Sequence, residues 1–153
     1  MTHEITGRYA MVDGARVYYD VCGEGVPLVC IHMGWACSLQ WHYFMPLMAA
    51  AGMRVIAPDL PGHAKSMPVN WKPFRKMHDY AEWVWHFIEA VCPGEKPVVC
   101  GSGIGGDMTL DIACHHPGGI AAGMGFECAA KTGSISFLSG YTEPHTFPGF
   151  PAR

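Results

Sequence analysis

The part of the chain that most constrains its fold is residues 98–107, where an apolar, β-branched run leads into a cluster of glycines. Four of the six residues 101–106 are glycine, and a helical pattern at residues 108–116 follows directly. Glycine is this frequent only where the backbone takes a positive φ, or where another backbone or a ligand approaches closely. The stretch therefore predicts a strand, a tight turn and the start of a helix.

Two kinds of turn fit these glycines. A nucleophile elbow, G-x-S-x-G, places its glycines on Gly101 and Gly105 and its nucleophile on Gly103, which has no side chain to react. A dinucleotide fingerprint, G-x-G-x-x-G, is matched by Gly101, Gly103 and Gly106, with Glu127 near the position of the acidic residue that binds ribose. The turn alone does not decide between them.

Length, charge and hydropathy exclude several classes of protein. The 153 residues correspond to one domain, half of them are hydrophobic, 15% are charged and the formal net charge is −3. No block of like charges indicates a nucleic-acid partner, and no apolar run reaches the ~20 residues of a membrane span. The N-terminus lacks the basic and apolar regions of a signal peptide. We expect a cytoplasmic protein with neither nucleic acid nor membrane as partner.

Cysteine and histidine usage predicts neither disulfides nor a metal centre. The seven cysteines are an odd number without a C-x-x-C pair, which favours buried free thiols. Among the nine histidines, His115 and His116 are adjacent and so point in different directions on a helix. His78 and His86 share a helix face without a third partner nearby in sequence. We therefore expect no metal and no cofactor.

The N-terminal part predicts a β-hairpin. Residues 5–12 and 15–22 have strand patterns and flank an Asp-Gly pair, which suits the type I′ turn that hairpins prefer. In the second strand Val17, Tyr19 and Val21 alternate with a polar set. The hairpin is predicted to be an antiparallel edge of a sheet with one solvated face. The residues predicted on that face are Arg16, Tyr18 and Asp20.

Beyond the hairpin, strand and helix patterns alternate, which predicts an α/β fold with a mostly parallel sheet and helices on both faces. Ser38 is the predicted cap of the first helical segment, with Pro46 starting or kinking its second part. Further strands are predicted at residues 27–31, 53–57, 97–100 and 120–127, and further helices at residues 77–92 and 108–116. The segments 32–35, 59–66 and 101–106 follow strands, and we expect them to form one site at the carboxyl edge of the sheet.

Three motifs in order resemble the N-terminal half of the α/β-hydrolase family. Residues 32–35 (His-Met-Gly-Trp) resemble the oxyanion loop, residues 54–66 resemble the D-x-x-G-H-G-x-S loop, and residues 98–106 resemble the elbow. Ala64 stands where the family usually has glycine. The resemblance, from about residue 9 to residue 127, implies a partial α/β-hydrolase fold of ester- or carbon-bond-hydrolysing ancestry. It implies an oxyanion hole at Met33, Gly34, Trp35 and Ile104.

The resemblance also implies impaired catalysis. Gly103 occupies the nucleophile position and has lost the side chain that would attack a carbonyl. Ser102 is a weak alternative nucleophile beside the turn, and Glu127 is a weak candidate for the acid of a triad. Cys100 is expected to be a core thiol.

The C-terminal part of the pattern departs from the family. Residues 1–130 are predicted to form the N-terminal part of an α/β-hydrolase domain, and residues 131–153 an irregular tail rich in proline and glycine. His145 lies in that tail, and no segment resembles the late elements that carry the family's catalytic histidine. We therefore expect a truncated and catalytically impaired hydrolase.

Two other functions stay open at this stage. A pocket with Met33, Trp35 and Ile104 at its entrance would suit a non-catalytic protein that binds a small apolar acyl or aromatic ligand. The second alternative is a dinucleotide-binding domain that uses the fingerprint glycines and Glu127. The predicted last strand would expose an unpaired edge. A homodimer, or a complementary C-terminal fragment that pairs with this edge, is the expected protein partner.

Overall fold

The computed structural model describes residues 4–67, 72 and 74–128, so the predicted tail at residues 131–153 lies outside the described part of the chain. The described part contains six strands, three α-helices and a 3₁₀ turn at Ser38–Trp41. No described helix has the length and hydropathy needed to cross a bilayer. The strands are β1 (Thr6–Val12), β2 (Ala15–Cys22), β3 (Val26–Ile31), β4 (Met53–Pro58), β5 (Val98–Ser102) and β6 (Ala122–Phe126), and the helices are α1 (Phe44–Ala50), α2 (Met77–Val91) and α3 (Ile104–His115).

The six strands form one mixed sheet in the order β1-β2-β4-β3-β5-β6. β1 pairs with β2 and β2 with β4 in antiparallel fashion, and the β4-β3, β3-β5 and β5-β6 pairs are parallel. The predicted α/β class, the N-terminal hairpin and the mostly parallel sheet are thereby confirmed. The carboxyl ends of β3, β4 and β5 lie side by side, which brings the three sequence motifs together.

Helices cover both faces of the sheet. Along β3, Val29 and Ile31 belong to a core cluster that also contains residues of α2 and α3. Leu28 and Cys30, which point to the opposite face, belong to a second cluster with residues of α1. Burial on both sides explains why the sequence of β3 is continuously apolar. In α2 the predicted apolar stripe is indeed core, with Phe87 fully buried.

The solvated face predicted for β2 is correct at Arg16, which is exposed, and wrong at Tyr18 and Asp20. β2 lies inside the sheet between β1 and β4, and both Tyr18 and Asp20 are buried. The Tyr18 hydroxyl donates to Asp20 Oδ1 at 2.6 Å, and His42 Nε2 lies 2.8 Å from Asp20 Oδ2. Burial alone would raise the pKa of Asp20, but the hydrogen bonds from Tyr18 and His42 outweigh it and lower the pKa. Asp20 therefore ties β2 to the segment that leads into α1.

Two predicted helix starts differ from the structure. Ser38 does not cap a helix; it is the first, buried residue of the 3₁₀ turn, whose capping position is Cys37. Pro46 lies in the first turn of α1, where its missing N–H has no intrahelical partner to lose. α3 starts at Ile104 and not at residue 108, because Gly105 and Gly106 are helical residues and not part of the turn.

Candidate functional site

The junction of β5 and α3 is a turn of a single residue. β5 ends at Ser102, α3 starts at Ile104, and Gly103 between them has φ 56° and ψ −122°. The Gly103 N–H donates to the Phe126 carbonyl at 2.9 Å, and the Gly106 N–H donates to the Gly103 carbonyl at 2.9 Å. This is the strand-turn-helix geometry of an elbow, with its tip at the residue that the G-x-S-x-G pattern assigns to the nucleophile.

The other glycines allow close packing around this junction. A Cβ atom on Gly101 would clash with the Gly105 carbonyl, and a Cβ atom on Gly105 would clash with the Ile31 carbonyl. Glycine at these positions lets the first turn of α3 lie directly against β5 and β3. In the dinucleotide alternative Gly101 would make the turn. The structure corrects this, because Gly101 lies within β5 and the turn is made by Gly103.

The predicted oxyanion loop lies against the elbow. A Cβ atom on Gly103 would sit 3.4 Å from Met33 Cβ, and a Cβ atom on Gly34 would sit 3.4 Å from Ile104 Cδ1. A side chain at position 103 would thus point towards the loop, and there is space for one. Ile104 is the first residue of α3, where backbone N–H groups have no acceptor within the helix. Trp35 extends into solvent, with 72% of its surface exposed.

A buried histidine holds the oxyanion loop in place. His32 is fully buried; its Nε2 accepts the Leu60 N–H at 2.9 Å, and its Nδ1 lies 2.7 Å from the Met33 carbonyl. The contacts require the tautomer with a proton on Nδ1 and none on Nε2. Burial is the largest cause that lowers the pKa of His32 to about 4, so the ring is neutral at pH 7. The His63 ring lies 4.9 Å away, and its Nε2 is 2.9 Å from the Gly34 carbonyl.

The acidic residue of the second motif shapes its loop. Asp59 is 1% exposed; its Oδ1 accepts the Ser38 N–H at 2.8 Å and its Oδ2 accepts the Lys65 N–H at 3.0 Å. The sequence places Asp59 in a motif but does not predict that its carboxylate accepts these two backbone N–H groups. These partners are 21 and 6 residues away, and no local pattern encodes the longer contact.

The remaining candidates lie close to the elbow in different environments. Ser102 is the last residue of β5 and is 9% exposed, one position before the tip. Glu127 is exposed and directly follows the Phe126 carbonyl that accepts the Gly103 N–H. Cys100 is buried, 3.4 Å from the Cys30 sulfur, in keeping with the predicted core thiol.

Two cavities of the structure lie away from the elbow. One, of about 220 Å³, is lined by the hairpin turn and by Phe74 and Trp83, and one of about 480 Å³ lies at the opposite edge of the sheet beside Gly23 and Gly52. Neither includes Gly103 or the oxyanion loop.

Sequence reasoning also missed a histidine cluster. His78 has no third partner nearby in sequence, as stated above, but the structure brings His78 of α2 together with Asp111 and His115 of α3, which are distant in sequence. His86 instead lies 2.9 Å from Asp13 at the hairpin turn. His115 and His116 do point in different directions, because His115 contacts Asp111 and His116 contacts Glu82.

Comparisons with known proteins agree with the fold. The family model described as "alpha/beta hydrolase fold" matches residues 26–126. The soluble epoxide hydrolase of Corynebacterium sp. (strain C12) is 44% identical over 63 residues, which are 40% of this chain and 21% of that protein. A putative non-heme haloperoxidase of Mycobacterium phage D29 is 27% identical over 132 residues, 85% of this chain and 45% of that protein.

Two further matches extend the comparison. Salicylic acid-binding protein 2 of Nicotiana tabacum is 29% identical over 90 residues, 59% of this chain and 34% of that protein. The solved structure of the epoxide hydrolase CorEH without ligand has a TM-score of 0.64 at 30% identity and covers 72% of this chain and 38% of that one. The chain thus spans less than half the length of each of these proteins.

Proposed function

Because the chain belongs to the α/β-hydrolase family, we propose that it retains the elbow and oxyanion loop of a hydrolase but does not catalyse nucleophilic hydrolysis. The ancestral reaction in this proposal is hydrolysis of an ester or a carbon-centred bond. The observation that carries the proposal is Gly103 at the tip of the elbow, with its missing Cβ directed at Met33.

The chemistry of acyl transfer explains why this residue decides the function. The reaction needs an oxygen or sulfur atom that attacks the carbonyl, together with N–H donors for the developing oxyanion. Glycine offers no such atom. In a serine protease, loss of the nucleophile costs on the order of 10⁶ in kcat, and the oxyanion hole retains on the order of 10³ to 10⁴ over water. Hydrolysis by this chain is therefore expected to be on the order of 10⁶ slower than hydrolysis by an enzyme that retains its nucleophile.

The test is hydrolysis of p-nitrophenyl acetate by the unmodified chain and by four variants. We expect no burst of nitrophenol from the unmodified chain or from Gly103→Ala. Gly103→Ser places a hydroxyl beside the predicted oxyanion loop. Because no neighbouring base in the described part of the chain takes its proton, which passes to water, we expect slow transfer of the acetyl group to this serine with release of nitrophenol, seen by intact mass in this variant and not in Gly103→Ala. Gly103→Ala is the matched control, because it imposes the same backbone constraint without a nucleophile.

Turnover by the unmodified chain would contradict the proposal. If Ser102→Ala abolished that turnover, Ser102 would be the nucleophile. If Glu127→Gln abolished it while Ser102→Ala did not, the carboxylate would carry the reaction.

A second candidate function is the binding of a small aromatic ligand without turnover. The missing side chain at Gly103 leaves space next to Met33, and Trp35 offers an exposed aromatic surface beside it. A relative is named for binding salicylic acid, which suggests salicylate as the probe. We expect salicylate to quench tryptophan fluorescence in the unmodified chain and to do so less in Trp35→Phe. Equal quenching in both proteins, or none in either, would contradict this candidate.

A further inference from the structure

Three possible metal ligands converge between α2 and α3, away from the elbow. His78 Nδ1 lies 2.8 Å from Asp111 Oδ1, and His115 Nδ1 lies 3.2 Å from the same oxygen. One potential ligand atom from each of these residues lies within 4.8 Å of the others. Two imidazole nitrogens and a carboxylate oxygen, supplied by two different helices, thus face a common point.

The spacing of these residues suits an interhelical site. Asp111 and His115 are four residues apart and so lie on the same face of α3. On α2, Glu82 is four residues beyond His78, and its Oε1 lies 4.0 Å from His78 Nε2. His116 Nε2 lies 2.7 Å from the same Glu82 oxygen.

We propose that His78, Asp111 and His115 bind a divalent transition-metal ion of the Zn²⁺ class, which links α2 to α3. Zinc bonds to histidine nitrogen and carboxylate oxygen are about 2.0–2.2 Å long, so ligand atoms in a tetrahedral shell lie about 3.3 Å apart. The nitrogen-to-oxygen distances of 2.8 and 3.2 Å are close to this separation. Two imidazoles with one carboxylate suit zinc, nickel or copper, whereas Mg²⁺ and Ca²⁺ prefer oxygen ligands throughout.

The surroundings provide a nearby carboxylate and an open position. Ligating histidines usually direct their second nitrogen at a carboxylate. Glu82 Oε1 is the nearby carboxylate oxygen on that side of His78, at 4.0 Å from its Nε2, which is beyond hydrogen-bond distance. The Asp111 side chain is 5% exposed, while those of His78 and His115 are 42% and 39% exposed. An ion can therefore reach the site from solvent, and the remaining position is available to water.

The competing explanation is that both histidines only donate hydrogen bonds to Asp111. Zinc binding separates the two explanations. The folded full chain, after alkylation of only those cysteines that the reagent reaches under native conditions, is titrated with ZnCl₂ in a calorimeter. We expect one ion per chain and no heat from MgCl₂. His78→Gln and His115→Gln should each weaken zinc binding at least about tenfold, since even outer partners of metal ligands contribute 10–100-fold.

His86→Gln is the matched control. His86 lies on the same helix, is 45% exposed and also contacts a carboxylate, that of Asp13, at 2.9 Å. Zinc affinity should be unchanged in this variant. Absence of zinc binding by the unmodified chain would overturn the proposal. So would affinity that is unaffected by His78→Gln and His115→Gln, or reduced equally by His86→Gln.

A second measurement avoids variants that fail to fold. Diethyl pyrocarbonate modifies accessible histidines, and mass spectrometry of the unmodified chain locates the modified residues. We expect ZnCl₂ to protect His78 and His115 from modification and to leave His86 reactive. Equal reactivity of all three residues with and without zinc would overturn the proposal.

Discussion

At the scale of the single residue, His32 shows how one buried ring couples two loops. Its two nitrogens contact Leu60 and Met33, so a proton added to Nε2 would face the Leu60 N–H and break that hydrogen bond. The ring has no route to solvent, because the residue is fully buried. Its neutral state is therefore a condition for the oxyanion loop to keep its geometry.

This coupling predicts loss of stability in acid. In the unfolded chain His32 has a pKa of 6.5, and in the folded chain a pKa of about 4. Between these values the unfolded state binds the proton and the folded state does not, so stability falls as pH falls from about 7 to about 4. The shift corresponds to about 3 kcal/mol. Urea unfolding of the unmodified chain and of His32→Gln is measured across this pH range. The contribution of His32 is the difference between the two proteins in how steeply the unfolding free energy changes with pH.

The comparison with His32→Gln is needed because other histidines act in the opposite sense. Hydrogen bonds to Asp111 and Asp13 raise the pKa values of His78 and His86, respectively. A raised pKa adds stability below the unfolded value, and that stability is lost as pH rises through the folded value. The contributions of His78 and His86 are the same in the unmodified chain and in His32→Gln, so they cancel when the two pH dependences are subtracted. Equal slopes in the two proteins would show that His32 does not control acid stability.

Sequence predicts some of these residues and not others. The elbow spacing placed Gly103 at the tip, but the glycine pattern also fitted a dinucleotide fingerprint, and the two further motifs at residues 32–35 and 54–66 favoured the elbow. The contacts of His32 with Leu60 and of His78 with Asp111 join residues 28 and 33 positions apart. Such contacts depend on how strands and helices pack, and a single sequence contains no periodic signal for them.

At the scale of the element, the β5-α3 junction depends on the close approach of the first turn of α3 to β5 and β3. The Cβ of Gly105→Ala would clash with the Ile31 carbonyl, which is backbone and cannot rotate away. We expect this variant to lose about 3 kcal/mol of unfolding free energy or more, the upper end of overpacking costs. Gly103→Ala should lose only about 1–2 kcal/mol, because space is available and the cost is that of its positive φ.

Chemical denaturation of the two variants checks this order. A smaller loss in Gly105→Ala than in Gly103→Ala would mean that backbone conformation, and not packing, makes glycine necessary at the junction.

Element boundaries were predictable where burial is one-sided. α2 has an apolar stripe over a solvated face, and its predicted range differs from the structure by a single residue at the end. In α3 the residues from 104 to 109 are all buried, so the first turns have no polar face to mark the helix. That explains why its start was predicted four residues late. The position of Asp20 on β2 was predicted wrongly for a related reason. Its carboxylate is buried but accepts hydrogen bonds from Tyr18 and His42, which the sequence pattern does not show.

At the scale of the whole molecule, the described part of the sheet ends at β6 with an exposed apolar strand. All five residues of β6 are exposed, including Met124 at 45% and Phe126 at 50%. An edge of this kind is a template for further strand pairing. We expect the full chain to self-associate as concentration rises, and Phe126→Lys to shift it towards the monomer in sedimentation velocity experiments.

Tyr43→Lys is the control for this experiment, because Tyr43 is 94% exposed and directly precedes α1, which packs against β4 and β2 and not against β6. It should leave the association unchanged. A monodisperse monomer at all concentrations, or an equal shift in both variants, would contradict association through β6.

The glycine at the elbow also bears on how this protein could change in evolution. Residue 103 has space for a side chain towards Met33, and its surroundings do not require glycine sterically. Every glycine codon becomes an aspartate or glutamate codon by a single base substitution, and a carboxylate can act as a nucleophile. A carboxylate at this position is therefore a single mutational step away, on a backbone that already has the strand-turn-helix form.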